Sequence, residues 1–168
     1  MALTLVRHTT PAVMPGTCYG MTDLPLADSF DDECATVLET LPRHGAVLTS
    51  PLSRCHRLAR AIADHWTVPL TVSVSWREMD FGAWEGVAWD AVPRDGLDAW
   101  AADFHGYDGH GGESVGALET RIRAALSAAQ PDTLIVTHSG PIRAAMAIWG
   151  QGDGWDTKTG FGRWVSGP

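Results

Sequence analysis

Residues 133–149 read TLIVTHSGPIRAAMAIW: a short apolar run, a tight polar turn, and an apolar stretch of helical character with Pro141 near its first position. A strand that passes straight into a helix is half of a βαβ unit, and the same alternation recurs along the chain. In "SFDDECATVLETLP", Phe30, Cys34, Leu38 and Leu41 share one helical face. Asp28 or Ser29 is the expected N-cap there, Pro42 the stop, and Asp31-Asp32-Glu33 an acidic first turn that suits the helix dipole. "AVLTSP" reads as a strand; "SRCHRLARAIADHW", with Leu58, Ile62 and Trp66 four apart, as a helix; "PLTVSVS" as a strand again. Val115, Leu118, Ile122, Ala125 and Leu126 form the stripe of a further helix with Glu119 and Arg123 paired on its polar side, whereas the Gly-rich "GYDGHGGES" before it is a loop. No repeat or linker divides the chain. The expectation is a single α/β domain over residues 1–168, a three-layer sandwich with a mostly parallel sheet and helices on both faces.

Composition narrows the partners. A net charge of -8 argues against sequence-independent nucleic-acid binding, which needs a basic face. No apolar run nears the roughly 18 residues of a membrane span, and the start has no secretory pattern, so a cytoplasmic protein is expected. Cys18, Cys34 and Cys55 are too few and scattered for a disulfide framework or a zinc site.

In open α/β sheets, ligands bind beyond the carboxyl ends of the strands. Those ends read "LVRH", "VLTSPLSR", the "WRE" that follows the third strand, and "IVTHSG". If the strands are parallel, Arg7, His8, Arg54, Glu78 and His138 meet at one edge. Guanidinium groups prefer phosphate oxygens, a histidine can attack phosphorus, and a glutamate can protonate a leaving oxygen, so the set points to phosphoryl chemistry.

The four pieces "LVRH", "SPLSRC", "REMDFGAWEG" and "VTHSG", in this order from Leu5 to about Arg143, resemble the histidine phosphatase superfamily, in the branch related to phosphoglycerate mutases. "GTCYGMTDLPLA" and "DFGAWEG" are similar to the α-ribazole phosphatase subgroup of cobalamin synthesis. The resemblance implies a phosphoglycerate mutase-like fold and a phosphatase that needs no metal or cofactor. His8 would be the nucleophile that becomes phosphohistidine, Arg7, Arg54 and His138 would surround the phosphoryl oxygens, and Glu78 would be the acid and then the base. Further substrate contacts are expected from Thr9, Tyr19, Thr22, Trp84 and Ser139, with backbone N–H groups near Ser139 and Gly140 available to an anion. A small phosphorylated metabolite is the expected partner, and the protein a monomer or homodimer. Thr9 stands where most members have Gly, and Leu58 where Thr is common. Pro11 and Met14 occupy positions where mutases carry Ser and Asn as phosphate ligands, and mutases are longer, so hydrolysis is favoured over phosphoryl return.

Other features carry two readings. Trp76, Trp84, Trp89 and Trp100 either line a pocket for a flat base or pack a lid over the sheet. Arg143 either reaches the site or pairs with an acid elsewhere. His105, Asp108 and His110 match no metal-ligand spacing and are read as a solvated loop, Ser114 as a helix cap, and His44, His56, Arg57, Arg60 and His65 as surface. Two rival functions remain: a catalytically silent member that only binds a phospholigand, and a metal hydrolase built on the same histidines.

Overall fold

The computed structural model describes residues 3–168. Five strands form one sheet in the order β3-β2-β4-β1-β5: β1 (Leu3–Arg7), β2 (Ala46–Thr49), β3 (Leu70–Val72), β4 (Thr133–Thr137) and β5 (Trp164–Gly167). The first four are mutually parallel, and only β5 runs antiparallel, beside β1. Helices α1 (Phe30–Thr40) and α2 (Ser53–Trp66) cover one face through Cys34, Val37, Leu58 and Ile62 against Val6, Val47, Leu134 and Val136. A short helix, α3 (Arg94–Ala102), packs Leu97 and Trp100 on a small separate core of Cys18, Trp84 and Val92. Helices α4 (Val115–Ala128) and α5 (Ser139–Trp149) cover the other face of the sheet, through Leu118, Ile122, Ile142 and Ala145 against Leu5 and Ile135. Alternate residues of β1 and β4 thus enter opposite cores, which is why both strands read as unbroken apolar runs. The expected sandwich and its mostly parallel sheet are present. Among the described residues no helix is long and apolar enough to cross a membrane.

Local differences from expectation have physical causes. Ser29 precedes α1 without capping its backbone; its hydroxyl donates instead to Glu33 Oε1 at 2.6 Å. Ser114 does cap α4, its Oγ accepting from the Ala117 N–H at 3.1 Å. "PLTVSVS" yields only a short edge strand, since beyond Val72 the chain turns through a 3-10 segment, Val74–Trp76, that buries Trp76. Two histidines read as surface or solvated are buried. His44 packs on Trp66 near Asp132, and His110 lies among Phe81, Trp84 and Tyr107, its Nδ1 accepting from the Gly112 N–H at 3.0 Å.

β5 is the element the sequence did not announce. The chain after α5 folds back past the carboxyl end of β1, where the Gly162 N–H donates to the carbonyls of Arg7 and His8 and the Arg7 N–H donates to Arg163. The segment before β5 thereby becomes a wall of the strand-end crevice.

Candidate active site

β1 and β4 are neighbours that begin opposite crossovers, because the chain leaves β1 towards β2 and later returns to fill the place between them. That makes their carboxyl ends the switch point of the sheet, where a crevice opens. Arg7 lies level with Thr137, and the His8 N–H donates to the Thr137 carbonyl at 3.0 Å, which sets His8 opposite His138. Their rings meet edge-on with centroids 5.2 Å apart. Arg54 enters from the first turn of α2, and Glu78 from the loop after Trp76. The five strand-end residues do come together. Arg54 and Arg7 both press the His8 pKa down, and the same two guanidinium groups favour the ionised form of Glu78.

His8 is 1% exposed, and its Nδ1 lies 2.7 Å from the Thr9 carbonyl oxygen. A carbonyl can only accept, so Nδ1 carries the proton and the lone pair is left on Nε2. Burial first, then the charges of Arg54 and Arg7, hold its pKa down to about 3, so the imidazole is neutral near pH 7. His138, fully buried, is likewise held well below the usual histidine range, by burial first, then by the His8 ring beside it and the Arg54 and Arg7 guanidinium groups, and its Nε2 is 2.8 Å from Ser50 Oγ. Ser50, at the end of β2, is a partner that no sequence motif had singled out.

Glu78 shows the opposite balance. Burial pushes its carboxyl up, against the pull of N–H groups from Gly140 and Met79 and of Arg54 and Arg7. The Gly140 N–H reaches both carboxylate oxygens at 3.1 Å, and the Met79 N–H reaches Oε1 at 2.9 Å. The first turn of α5 thus holds the carboxyl group, and the N–H of Gly140 is engaged there rather than left for an anion. Gly140 also has no room for a side chain, since a Cβ would run into Glu78 Oε1.

The arginines are braced by backbone. Arg54 donates from Nη1 to the Thr22 carbonyl at 2.8 Å and from Nη2 to Gly20 at 2.6 Å; Arg7 donates from Nη1 to Thr159 at 2.7 Å, with its guanidinium 4.0 Å above the Phe161 ring. The Nε of each is buried without an acceptor among the described residues. A buried donor left unpaired costs about 1–3 kcal/mol, more when charged, and an oxyanion would satisfy both.

Above these groups opens a cavity of about 350 Å³. Arg7, His8, Glu78, Ser139 and Gly140 form its polar end, and Tyr19, Phe81, Trp89, Trp100, Phe104 and Trp155 supply aromatic walls. Arg143 lines it too, while its Nε donates to the Thr157 carbonyl at 3.1 Å, so it reaches the site and its partner is backbone rather than an acid.

Of the further contacts expected from sequence, Tyr19 and Ser139 line the cavity and three others do not. Trp84 is 6% exposed and packed in the small core with Cys18 and Val92, stacked on Tyr107. Its large apolar surface is better buried in the lid than shown to a ligand. Thr22 turns its hydroxyl to Glu85 Oε2 at 2.7 Å, and Thr9 is buried behind His8 with a carbonyl as its contribution. Of the four tryptophans, Trp76 belongs to the main core, Trp84 to the lid core, and Trp89 and Trp100 to the cavity wall.

Glu85 explains why "GTCYGMTDLPLA" and "DFGAWEG" occur together. Its carboxylate accepts from the N–H groups of Gly20 at 2.9 Å, Met21 at 2.8 Å and Phe81 at 3.2 Å, clasping one segment to the other. Trp155, Thr159 and Phe161 were missed from sequence because the tail carries no periodic signal; its Gly-aromatic spacing is the only trace. Among the described residues no cluster of three His, Cys, Asp or Glu side chains could hold a metal ion.

Comparison with known proteins agrees with this geometry. The family model described as "Histidine phosphatase superfamily (branch 1)" matches residues 3–159. Phosphoserine phosphatase 1 of Hydrogenobacter thermophilus is 26% identical over 154 residues, covering 84% of this chain and 72% of its own. A crystal structure of phosphoglycerate mutase from Thermus thermophilus superposes with a TM-score of 0.83 at 29% identity, covering 99% of this chain and 92% of the other. A structure described as mycobacterial hydrolase 2 shares the fold, with a TM-score of 0.84 at 22% identity over 98% of this chain and 80% of the other.

Proposed function

The chain belongs to the histidine phosphatase superfamily and is a phosphatase, and on that premise we propose that it hydrolyses small phosphomonoesters without a metal, through a phosphohistidine at His8. The observation that carries this reading is the Nδ1 of His8 at 2.7 Å from the Thr9 carbonyl, which leaves a neutral ring with its lone pair on Nε2 among guanidinium groups. Nε2 attacks phosphorus as the ester P–O bond breaks, and Glu78, whose carboxyl burial pushes above the usual carboxylate range, gives its proton to the departing oxygen. The resulting carboxylate takes a proton from water, whose oxygen attacks phosphorus and breaks the N–P bond, returning His8 to its neutral form. Arg7, Arg54 and His138 surround the nonbridging oxygens, where charge stabilisation contributes most to phosphoryl transfer. All five positions are filled, which favours catalysis over silent binding. Hydrolysis is favoured over return of the phosphoryl group because Pro11 is bridged to Leu26 and Met14 is 77% exposed, and neither lines the cavity.

The aromatic walls favour an ester whose alcohol carries a flat, apolar ring, and α-ribazole 5'-phosphate, with its benzimidazole against Trp89 and Trp100, is the finer reading. The subgroup resemblance in "CYGMTDLPL" and "DFGAWEG" supports it less directly, since much of that pattern serves the Glu85 clasp. Arg143 favours a second reading, a small phosphate that also bears a carboxylate, such as phosphoserine. A panel of α-ribazole 5'-phosphate, ribose 5-phosphate, phosphoserine, 3-phosphoglycerate and p-nitrophenyl phosphate, assayed with excess EDTA, tests both. Turnover of none of them, or turnover abolished by EDTA, would overturn the metal-independent phosphatase; the highest kcat/KM on phosphoserine would replace the apolar reading with the second.

A further inference from the structure

Glu113, in the "GGES" before α4, and Arg121, on α4, have no part in the chemistry above. Arg121 uses its planar fork fully. Nε and Nη2 donate to Glu113 Oε1 and Oε2 at 2.9 and 2.8 Å, Nη1 donates to the carbonyls of Ser75 and Arg77 at 2.8 and 3.0 Å, and Nη2 also reaches the Glu78 carbonyl at 3.4 Å. The Glu113 N–H closes the loop by donating to the Asp80 carbonyl at 2.8 Å. Gly112 lies so close to the Asp80 carbonyl that a Cβ there would collide with it. The segment from Ser75 to Asp80 carries Glu78 and has no regular structure beyond Trp76, so this bracket joins the packing of Trp76 and Met79 with Leu118 and Ile122 in tying it to α4, and supplies the polar part of that tie. Glu78 also lines a second cavity, of about 340 Å³, with Arg121 and Glu113 in its wall, so packing alone does not fill the space beside it. Arg121 is also one of the charges that help burial hold the His138 pKa down, so bracing is separated from charge by Arg121→Lys, which keeps the charge and loses the fork.

We propose that Arg121, locked by Glu113, is a positioning residue for Glu78: it fixes the backbone that aims the carboxyl at the leaving oxygen. The proposal rests on the reading of Glu78 as general acid. Proton donation matters for an alkoxide and hardly for nitrophenolate, so misplacing Glu78 slows phosphoryl transfer to His8 selectively for alkyl phosphates, whereas hydrolysis of the phosphohistidine, which also uses Glu78, is common to both esters. A residue needed only for folding would lower both alike. The test measures kcat/KM, which reports the steps up to phosphoryl transfer to His8 and excludes the later hydrolysis, on glycerol phosphate and p-nitrophenyl phosphate for wild type, Glu78→Gln, Arg121→Met, Arg121→Lys and Glu113→Gln, each checked by circular dichroism.

Glu78→Gln sets the scale, at about 10²- to 10⁴-fold on the alkyl ester if it is the acid. Arg121→Met should lose about 10- to 100-fold in kcat/KM on glycerol phosphate and under about threefold on p-nitrophenyl phosphate, a misaimed acid being the cause. Arg121→Lys keeps the charge but not the fork and should fall in the same selective way. Glu113→Gln should show a smaller loss of the same kind, and it decides the matter with Arg121→Lys if Arg121→Met does not fold. Equal losses of kcat/KM on both esters, or a wild-type ratio of the two kcat/KM values in Arg121→Lys, would overturn the bracing role. A Glu78→Gln without leaving-group selectivity would instead overturn the reading of Glu78 itself.

Discussion

His8 and His138 follow adjacent parallel strands in register and face each other with ring centroids 5.2 Å apart, both buried and both held in the neutral form. Two imidazoles side by side under two guanidinium groups can stay together only while uncharged. The site is therefore poised for an anion and unfavourable to protons.

Replacing His8 with Ala should lower kcat by more than about 10³-fold on every ester, because positioning cannot replace a nucleophile. Brief mixing of wild type with substrate, followed by alkaline quench and mass spectrometry, should place an acid-labile phosphoryl group on His8. Turnover retained in His8→Ala would remove the covalent route.

Stability should fall with acid in a window set by the histidines. An unfolded histidine binds its proton below about pH 6.5, whereas His8 in the folded protein does so only near pH 3, so between these values the unfolded state holds more protons. Stability therefore drops as pH is lowered through that range, by about 1.4 kcal/mol per pH unit for one such group. Glu78 acts in the opposite sense, since its raised pKa makes its burial costlier as pH rises, so the comparison is made between variants. Urea unfolding from pH 4 to 6 should give His8→Asn a shallower slope than wild type by about that amount. Equal slopes would mean that His8 takes up its proton in the folded protein.

The contrast between what sequence revealed and what it hid follows from range. His8, Arg54 and His138 could be named because each follows directly on a strand or opens a helix, and strand ends in a parallel sheet converge by topology, whereas Glu78, in the loop beyond Trp76, was reached through the "WRE" that follows the third strand. The tail could not be placed. Thr159 and Phe161 reach Arg7 only because β5 pairs antiparallel with β1, a contact between residues more than 150 positions apart that no local period encodes. Trp84 was misassigned for a related reason, since an indole that fills a lid core and one that lines a cavity look alike in sequence.

Gly140→Ala should reverse the usual helix preference. In an ordinary helix interior Ala is favoured over Gly by about 1 kcal/mol. Here a Cβ would strike Glu78 Oε1 and crowd Leu118, so the carboxyl must leave the N–H groups that hold it. The expected result is a loss of up to about 10²-fold in kcat on alkyl phosphates with no gain in thermal stability. Wild-type kinetics would show that Glu78 works from another position.

Trp84 and Trp89 should separate lid from substrate. Trp84→Ala empties the core it shares with Cys18 and Val92 and should cost about 3–5 kcal/mol of stability, read by urea unfolding. Trp89 is half-buried and lines the cavity, stacked on Trp100 with ring planes 19° apart. Trp89→Ala should raise KM for naphthyl phosphate by about 10- to 100-fold, since stacking one base-sized ring is worth about 1–3 kcal/mol. It should leave glycerol phosphate nearly unaffected, that ester having no ring to stack. At low temperature, where its lid stays folded, Trp84→Ala should change the ratio of the two KM values far less than Trp89→Ala does, because Trp84 meets the cavity only from behind, through Trp89 and Trp100. A changed ratio in Trp84→Ala with an unchanged one in Trp89→Ala would exchange the two roles and return Trp84 to the substrate.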